Sequence, residues 1–397
     1  MGDHGLSVFG STCYPSNRTR RPSDRQQCPS YAVRTRTESN RPMPKPLPAK
    51  ILTVVGARPQ FIKAAPVSKA LTAQGLTEIL VHTGQHFDPL MSDVFFDELD
   101  IAKPHHNLAI NSLGHGAMTG RMLEKLEEIM LAERPDMVLI YGDTNSTIAA
   151  ALAASKLHFP VAHVEAGLRS FNRRMPEEIN RIVADHLSAL LFCPTRSAVA
   201  NLAQEGITSG VHAVGDVMFD TTIEAARRAE TRSRILETLG LAPGSYAVST
   251  IHRAENTDDA ERFSRVMDWL AEAAQQTPIV MPIHPRTRNL LTQRDLAPTG
   301  VRLIDPLGYL DMTQLLHNAR AIYTDSGGIQ KEAYFHRVPC VTIRDETEWV
   351  ETIDAGWNRL WTTVDYLPRG EITDYGTGQS AQLISGVIGA FIGIGKW

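Results

Sequence analysis

The stretch MVLIYGDTNST, Met137 to Thr147, decides how the rest of the chain is read. Its five apolar residues, Met137–Tyr141, have strand length, and a helical pattern, Thr144–Leu157, follows directly. The same strand–turn–helix unit recurs on both sides. Upstream, the spacing predicts strands at Ile51–Val55 and Glu78–His82; downstream, at Val161–Val164 and Leu190–Cys193. Helical stretches lie between them, among them Met118–Glu133. Short apolar strands alternating with helices imply parallel sheets covered on both faces.

A polar helical stretch, Thr221–Leu239, leads to Gly240-Leu241-Ala242-Pro243-Gly244, and there the pattern begins again. Strands are expected at Tyr246–Thr250, Ile279–Ile283, Val301–Ile304, Ala321–Thr324 and Cys340–Ile343. The expected fold class is α/β, with two doubly wound Rossmann-like domains facing a cleft. The domains are expected over 49–220 and 221–378, with a terminal helix over 379–397 packing back on the first. In such sheets ligands bind beyond the carboxyl ends of the strands, so the unusual residues should cluster just after them.

The chain has 397 residues, a length that suits two cores rather than one. Apolar residues make up 43% and the net charge is −4, so nothing in bulk points to nucleic acid or a membrane surface as partner. Cys13, Cys28, Cys193 and Cys340 form no CxxC pair, which fits free thiols in a reducing, cytoplasmic compartment. No apolar run reaches the roughly 20 residues a bilayer span needs. Leu383–Ile394 is apolar but short, and reads as a packed helix. Residues 1–48 hold seven arginines and seven prolines and few branched aliphatics, too little to build a core. They read as a disordered tail or a start placed before Met43, or else as an Arg-rich targeting peptide.

The strand ends carry the candidate chemistry. Ile51–Val55 runs into Gly56-Ala57-Arg58-Pro59, which aims Arg58 at the cleft, where a guanidinium can grip a phosphate; the plainer reading is a surface arginine at a helix start. Asp143 emerges at the same edge, although Asp and Thr also serve as ordinary N-caps. Val161–Val164 ends in Glu165-Ala166-Gly167, and a glutamate there rarely has a structural purpose. If these two strands are neighbours, Asp143 and Glu165 share the cleft as a candidate proton-transfer pair. Pro176-Glu177-Glu178 makes a good helix start by macrodipole arguments alone, which does not exclude one glutamate from facing substrate.

In the second half, His252 stands at a strand end with Arg253 and Glu255 nearby, a candidate for phosphate contact. His284-Pro285-Arg286-Thr287-Arg288 is a basic turn, or simply a solvated charge cluster. The most specific local signal is Thr324-Asp325-Ser326-Gly327-Gly328-Ile329-Gln330-Lys331-Glu332. A strand ends, two glycines open a helix, and the outward N–H groups form an anion site suited to a diphosphate. Glu332, one turn in, is placed for ribose hydroxyls. The segment is neither a P-loop nor a GxGxxG fingerprint, and no His/Cys/Asp/Glu set has metal spacing.

Taken together, GARPQFIKAAP, TGQHFD, YGDTNST, HVEAGLRSFNRRMPEEINR, STIHRAEN, PIHPRTR and TDSGGIQKEA occur here in the order that resembles the non-hydrolysing UDP-N-acetylglucosamine 2-epimerase family, from about Ile51 to Ala381. The resemblance implies a glycosyltransferase-B-like fold, a UDP-amino-sugar substrate, a homodimer, and a reaction without metal or nicotinamide cofactor. It implies elimination of UDP to a 2-acetamidoglucal, then re-addition with C2 protonated on the opposite face, interconverting UDP-GlcNAc and UDP-ManNAc for polysaccharide precursors. By motif, Asp143, Glu165, Glu177 and His252 match the catalytic positions. Arg58, His284, Arg286, Ser326, Gly327, Gly328, Glu332 and Arg344 match substrate or UDP-binding ones.

Three departures stand out. Thr347-Glu348-Trp349-Val350-Glu351 replaces a Thr-Glu-Arg-Pro-Glu pattern and resembles a branch acting on UDP-2,3-diacetamido-2,3-dideoxy-glucuronate. The segment 85–93 differs from the stretch tied to allosteric substrate binding in some members. Leu360–Tyr375 is about one helix short, which could cost the second domain stability or activity. Alternative functions are a sugar transferase on a similar fold, a hydrolysing homologue, which usually carries a fused kinase, and a non-catalytic nucleotide-sugar sensor.

Overall fold

A computed structural model of the chain describes residues 48–85, 98, 100–283, 285–294, 296 and 298–394. The expectations for residues 1–47, and for most of the 85–93 segment, lie outside this range. Among the described residues, two parallel sheets carry the fold. The first has seven strands: β1 (Lys50–Val55), β2 (Thr77–His82), β3 (His106–Asn107), β4 (Met137–Tyr141), β5 (Val161–Val164), β6 (Leu190–Cys193) and β7 (Val211–Ala213). Their spatial order is β3-β2-β1-β4-β5-β6-β7. The second has six: β8 (Ala247–Thr250), β9 (Ile279–Pro282), β10 (Val301–Ile304), β11 (Ala321–Thr324), β12 (Cys340–Thr342) and β13 (Asn358–Leu360), in the order β10-β9-β8-β11-β12-β13.

Both sheets are doubly wound, as the alternating pattern predicts. Each reverses direction beside its first strand, between β1 and β4 and between β8 and β11. These switch points are where a doubly wound sheet opens a crevice at its carboxyl edge. The central strands are apolar on both faces because helices cover both. In β4 all five residues are buried, with the Arg58–Ala73 helix packing through Phe61 and Leu71 on one side and Ala149, Ala150 and Ala153 on the other. The alanines let the Asn145–Lys156 helix approach the sheet closely.

Strands β3, β7 and β13 are not among those the sequence predicts. They are two or three residues long, lie at sheet edges and are partly exposed, so they carry no apolar run to read. The expected Thr221–Leu239 helix is corrected in two respects. It begins earlier, at Val217, where the Asp216 carboxylate caps it by accepting from the Met218 N–H at 2.8 Å. It also breaks after Arg232: Ser233 is extended and its hydroxyl donates to Asp311 at 2.6 Å, and a second helix runs Ile235–Leu239. The terminal apolar stretch forms a helix, Ser380–Ile394, whose Ile384 and Ile388 are fully buried in the core that also holds Leu71 and Ala225. No described helix is long and apolar enough to cross a membrane.

Candidate active site

The site is built at the two switch points. Strand β1 ends at Val55, Gly56 and Ala57 follow, and Arg58 opens the next helix with Pro59 in its first turn. Across the switch point β4 ends at Tyr141, in register with Val164 of β5, so Asp143 and Glu165 leave adjacent strands together, as expected. The capping alternative for Asp143 is resolved by its neighbour. Thr144 is the N-cap and accepts from the Thr147 N–H, which leaves the Asp143 carboxylate to pair with Arg181 at 2.5 Å.

Glu165 sits at φ +69°, a left-handed backbone uncommon for a residue with a side chain. Such strain persists where surroundings over-determine it, and they do here. The Glu165 and Ala166 N–H groups both donate to the Phe192 carbonyl at 3.1 Å. Gly167, at φ +79°, is pressed so closely on the Ala198 carbonyl that a Cβ would collide with it. Asp185 receives the Gly167 N–H at 3.0 Å, His163 at 2.7 Å and Arg169 at 2.7 Å, all buried. This framework aims the Glu165 carboxylate into the cleft, where two lysines hold it. Lys63, from the Arg58–Ala73 helix, contacts one carboxylate oxygen; Lys331, from the second half, contacts the other at 3.2 Å. Lys331 also reaches Asp216 at 2.6 Å.

The two carboxylates therefore have opposite electrostatics. Burial works to raise both pKa values. For Glu165, Lys63 and Lys331 outweigh it and bring the carboxyl down to about 2. For Asp143, burial prevails over Arg181, the Glu165 charge adds to it, and the carboxyl is raised above its usual range. Two acids of one cleft pushed apart in this way suit opposite ends of a proton transfer.

Glu177 and Glu178 divide as well. Glu178 is buried and accepts from the Ser170 N–H at 2.8 Å and the Phe171 N–H at 3.0 Å, so it holds the 170–172 turn. Glu177 is exposed in the first turn of the Pro176–Leu187 helix and makes no ion pair among the described residues.

In the second sheet, β8 and β11 are in register at Thr250 and Thr324, which places His252 beside Ser326. The link is Asp325, fully buried. It accepts from the His252 N–H at 3.0 Å and the Arg253 N–H at 2.9 Å, and its other oxygen lies 3.0 Å from His252 Nδ1. The imidazole is held by Nδ1, and its side chain is half exposed. Ser326 is the N-cap of the Gly327–Phe335 helix, yet its hydroxyl makes no cap bond, so the helix end keeps its N–H groups for a ligand. Arg344 is buried and donates to Glu348 at 2.7 Å. His284 lies outside the described residues. Arg286 falls in the Pro285–Gln293 helix.

Glu332 is buried one turn into the Gly327–Phe335 helix, and burial raises its carboxyl to about 7 against the opposing charges of Arg58 and Lys331. Arg58 comes from the first half and Glu332 from the second, so this interaction crosses the cleft, as does the Lys331–Glu165 contact. A carboxyl raised in the folded state favours folding fully below its unfolded value of 4.5, and that contribution is lost as pH rises toward 7. Glu332→Gln should therefore keep on the order of 3 kcal/mol that the wild type loses between pH 5 and pH 8. Urea unfolding of both proteins at the two pH values checks this; parallel losses would refute it.

Sequence reasoning does not single out Lys63, Lys331, Arg181 or Asp325, although all four lie inside the quoted motifs. Their signal is positional. Lys63 is five residues beyond Arg58 on one helix, and Lys331 precedes Glu332, but the Lys63 and Lys331 contacts with Glu165 each join residues more than 100 positions apart.

Residues 69–367 match the family model described as UDP-N-acetylglucosamine 2-epimerase. The chain is 54% identical over 317 residues to a UDP-N-acetylglucosamine 2-epimerase homolog of Methanococcus maripaludis, covering 78% of this chain and 88% of that one. It is 53% identical, with the same coverage, to the UDP-2,3-diacetamido-2,3-dideoxy-D-glucuronate 2-epimerase of Pseudomonas aeruginosa. Among solved structures, the Methanocaldococcus jannaschii UDP-GlcNAc 2-epimerase in complex with UDP-GlcNAc and UDP superposes with a TM-score of 0.78 at 38% identity, covering 86% of this chain and 99% of that one. The two facing Rossmann-like sheets are thus of the glycosyltransferase-B-like kind. The chain belongs to the UDP-N-acetylglucosamine 2-epimerase family.

Proposed function

We propose that the protein is a non-hydrolysing UDP-amino-sugar 2-epimerase, with UDP-GlcNAc and UDP-ManNAc as its substrate pair. The observation that carries this is the pairing of oppositely tuned Asp143 and Glu165 at one switch point with an open helix N-terminus at the other. The diphosphate sits at Ser326, Gly327 and Gly328, with Arg58, Arg344 and His252 around it and Glu332 at the ribose. Departure of UDP from C1 places its growing charge on these donors. The C2 proton passes to a carboxylate on one face of the sugar and a proton returns from the opposite face; Asp143, Glu165 and Glu177 are the groups placed for these two transfers. The bond from C1 to the diphosphate oxygen breaks with its electrons on UDP and re-forms when UDP adds back. Closure of the cleft shields the intermediate from water.

The buried free thiols of Cys193 and Cys340 suit a reducing cytoplasm. A homodimer serving polysaccharide precursor synthesis is the setting the family likeness supports. A second reading, the diacetamido uronate as substrate, is favoured by the 53% identity to the Pseudomonas enzyme and by the resemblance of the Thr347–Glu351 segment to that branch. Incubating purified protein separately with each UDP sugar and following the anomeric proton signals decides between them. The proposal predicts the manno epimer from UDP-GlcNAc; free N-acetylmannosamine, or neither sugar changing, would overturn it.

A further inference from the structure

The second half carries two buried N–H donors without an acceptor among the described residues, one on Trp349 and one on Arg344. Trp349 is 6% exposed, yet its indole Nε1–H has no acceptor among the described residues. The Nε–H of Arg344, 5% exposed, is in the same position. A buried N–H without a partner is costly, and an apolar side chain would occupy the site without that cost. An orphaned donor of this kind therefore calls for an explanation.

Its location supplies one. A Cβ built on Gly327 would lie 3.3 Å from Trp349 Nε1 and 2.5 Å from the Glu348 Oε1. The indole nitrogen thus borders the first residue of the Gly327–Phe335 helix, where anions are favoured by the helix dipole and the unpaired N–H groups. The Glu348 Oε1 lies there with Arg253 at 3.8 Å, and Arg344 holds the other carboxylate oxygen at 2.7 Å. The indole ring is fixed from below by the Lys331 ammonium, 4.0 Å from the ring centroid, so its N–H is held in direction. Lys331 is the same residue that reaches Glu165. Trp349 therefore stands between the anion-binding helix end and the carboxylates.

We propose that Trp349 is a ligand-binding residue of this site, its indole N–H donating a hydrogen bond to an anionic oxygen of the bound UDP sugar at the start of the Gly327–Phe335 helix. This rests on the UDP-site reading above. The diphosphate is the acceptor nearest the helix end; the carboxylate of a uronate sugar offers the same chemistry. Trp349→Phe removes the N–H and keeps the ring over Lys331. Titration calorimetry with UDP, UDP-GlcNAc and the diacetamido uronate separates the two sources. A hydrogen bond to a charged acceptor predicts at least about tenfold weaker binding. Weakening of all three ligands assigns the bond to the diphosphate, and weakening of the uronate alone assigns it to the sugar carboxylate. Dissociation constants within twofold of wild type for all three, in a variant with an unchanged melting temperature, would overturn the proposal. Should the variant fold poorly, the nitrogen-15 indole resonance of Trp349 in the unmodified protein gives a second reading. A downfield move of its N–H on saturation with either anionic ligand supports the bond, and an unmoved signal refutes it. Because binding is read independently of turnover, a wild-type protein that binds UDP but epimerises neither sugar would defeat the functional reading and leave this comparison decisive.

Discussion

Asp143→Asn is expected to lower the turnover of epimerisation by about 10²- to 10⁴-fold, the usual contribution of a positioned acid or base, while leaving the dissociation constant of UDP within about twofold. The reasoning starts from local geometry. Asp143 leaves β4 at the switch point, its neighbour Thr144 takes the capping role, and burial raises its carboxyl. The carboxyl is thus free of the capping role, and its one ion pair is with Arg181. An amide keeps the shape and can still accept from Arg181 at the position now 2.5 Å away, but it cannot deliver a proton. Arg181 retains Glu178 at 3.1 Å. Because the Asp143 side chain remains partly exposed, the loss of its ion pair should cost stability no more than about 1 kcal/mol. Turnover measured by proton NMR, UDP binding by calorimetry and the melting temperature together check the expectation. A variant that turns over at the wild-type rate would remove Asp143 from the chemistry; one that loses turnover and stability alike would make it structural.

The largest stability effect is expected at Lys331. Its ammonium is buried between Glu165 and Asp216, at 3.2 and 2.6 Å, and both carboxylates are themselves buried. Lys331→Met leaves them short of a cation, which costs about 3–5 kcal/mol when one partner of a buried pair is removed. For domains of this size such a loss lowers the melting temperature by roughly 10 °C. The pH dependence follows from Glu165. Its folded carboxyl is held at about 2, below the ordinary 4.5, so the stabilisation is present above 4.5 and is lost as pH falls toward 2. Removing Lys331 relaxes the depression, so the deficit of the variant should be full at neutral pH and should shrink in acid. Lys331→Arg, which keeps the charge, should recover most of it. Urea unfolding between pH 3 and pH 7 tests this; a deficit below about 1 kcal/mol, or one that grows in acid, would show that the cross-cleft contact does not support the fold.

Much of this arrangement is legible in the amino-acid sequence. β4, β5, β6 and β11 have the boundaries their apolar runs suggest, because a central parallel strand is largely buried and announces itself by its hydrophobic run; the edge strand β10 also has its expected bounds. The edge strands β3, β7 and β13 are not legible, since half-exposed backbone pairing leaves no mark on side-chain type. The Val217–Arg232 helix starts ahead of its periodic pattern, as its first turn is set by the Asp216 cap. At the site, Asp143 and Glu165 can be paired from βαβ logic alone. The polarity of that pair cannot, for it depends on Lys63, Lys331 and Arg181, which meet the carboxylates only in three dimensions. Glu177 and Glu178 are adjacent in sequence and equal in type, yet only the fold turns Glu178 inward to hold the Ser170 and Phe171 amides.

Epimerisation at C2 by this route requires its hydrogen to leave as a proton and a proton to return from the other side. The most direct measurement is proton NMR and mass spectrometry of the UDP sugar after incubation with the protein in D2O. The newly formed epimer is expected to carry deuterium at C2 from its first appearance, one mass unit heavier than its precursor. An epimer that keeps its original hydrogen at C2 would contradict it.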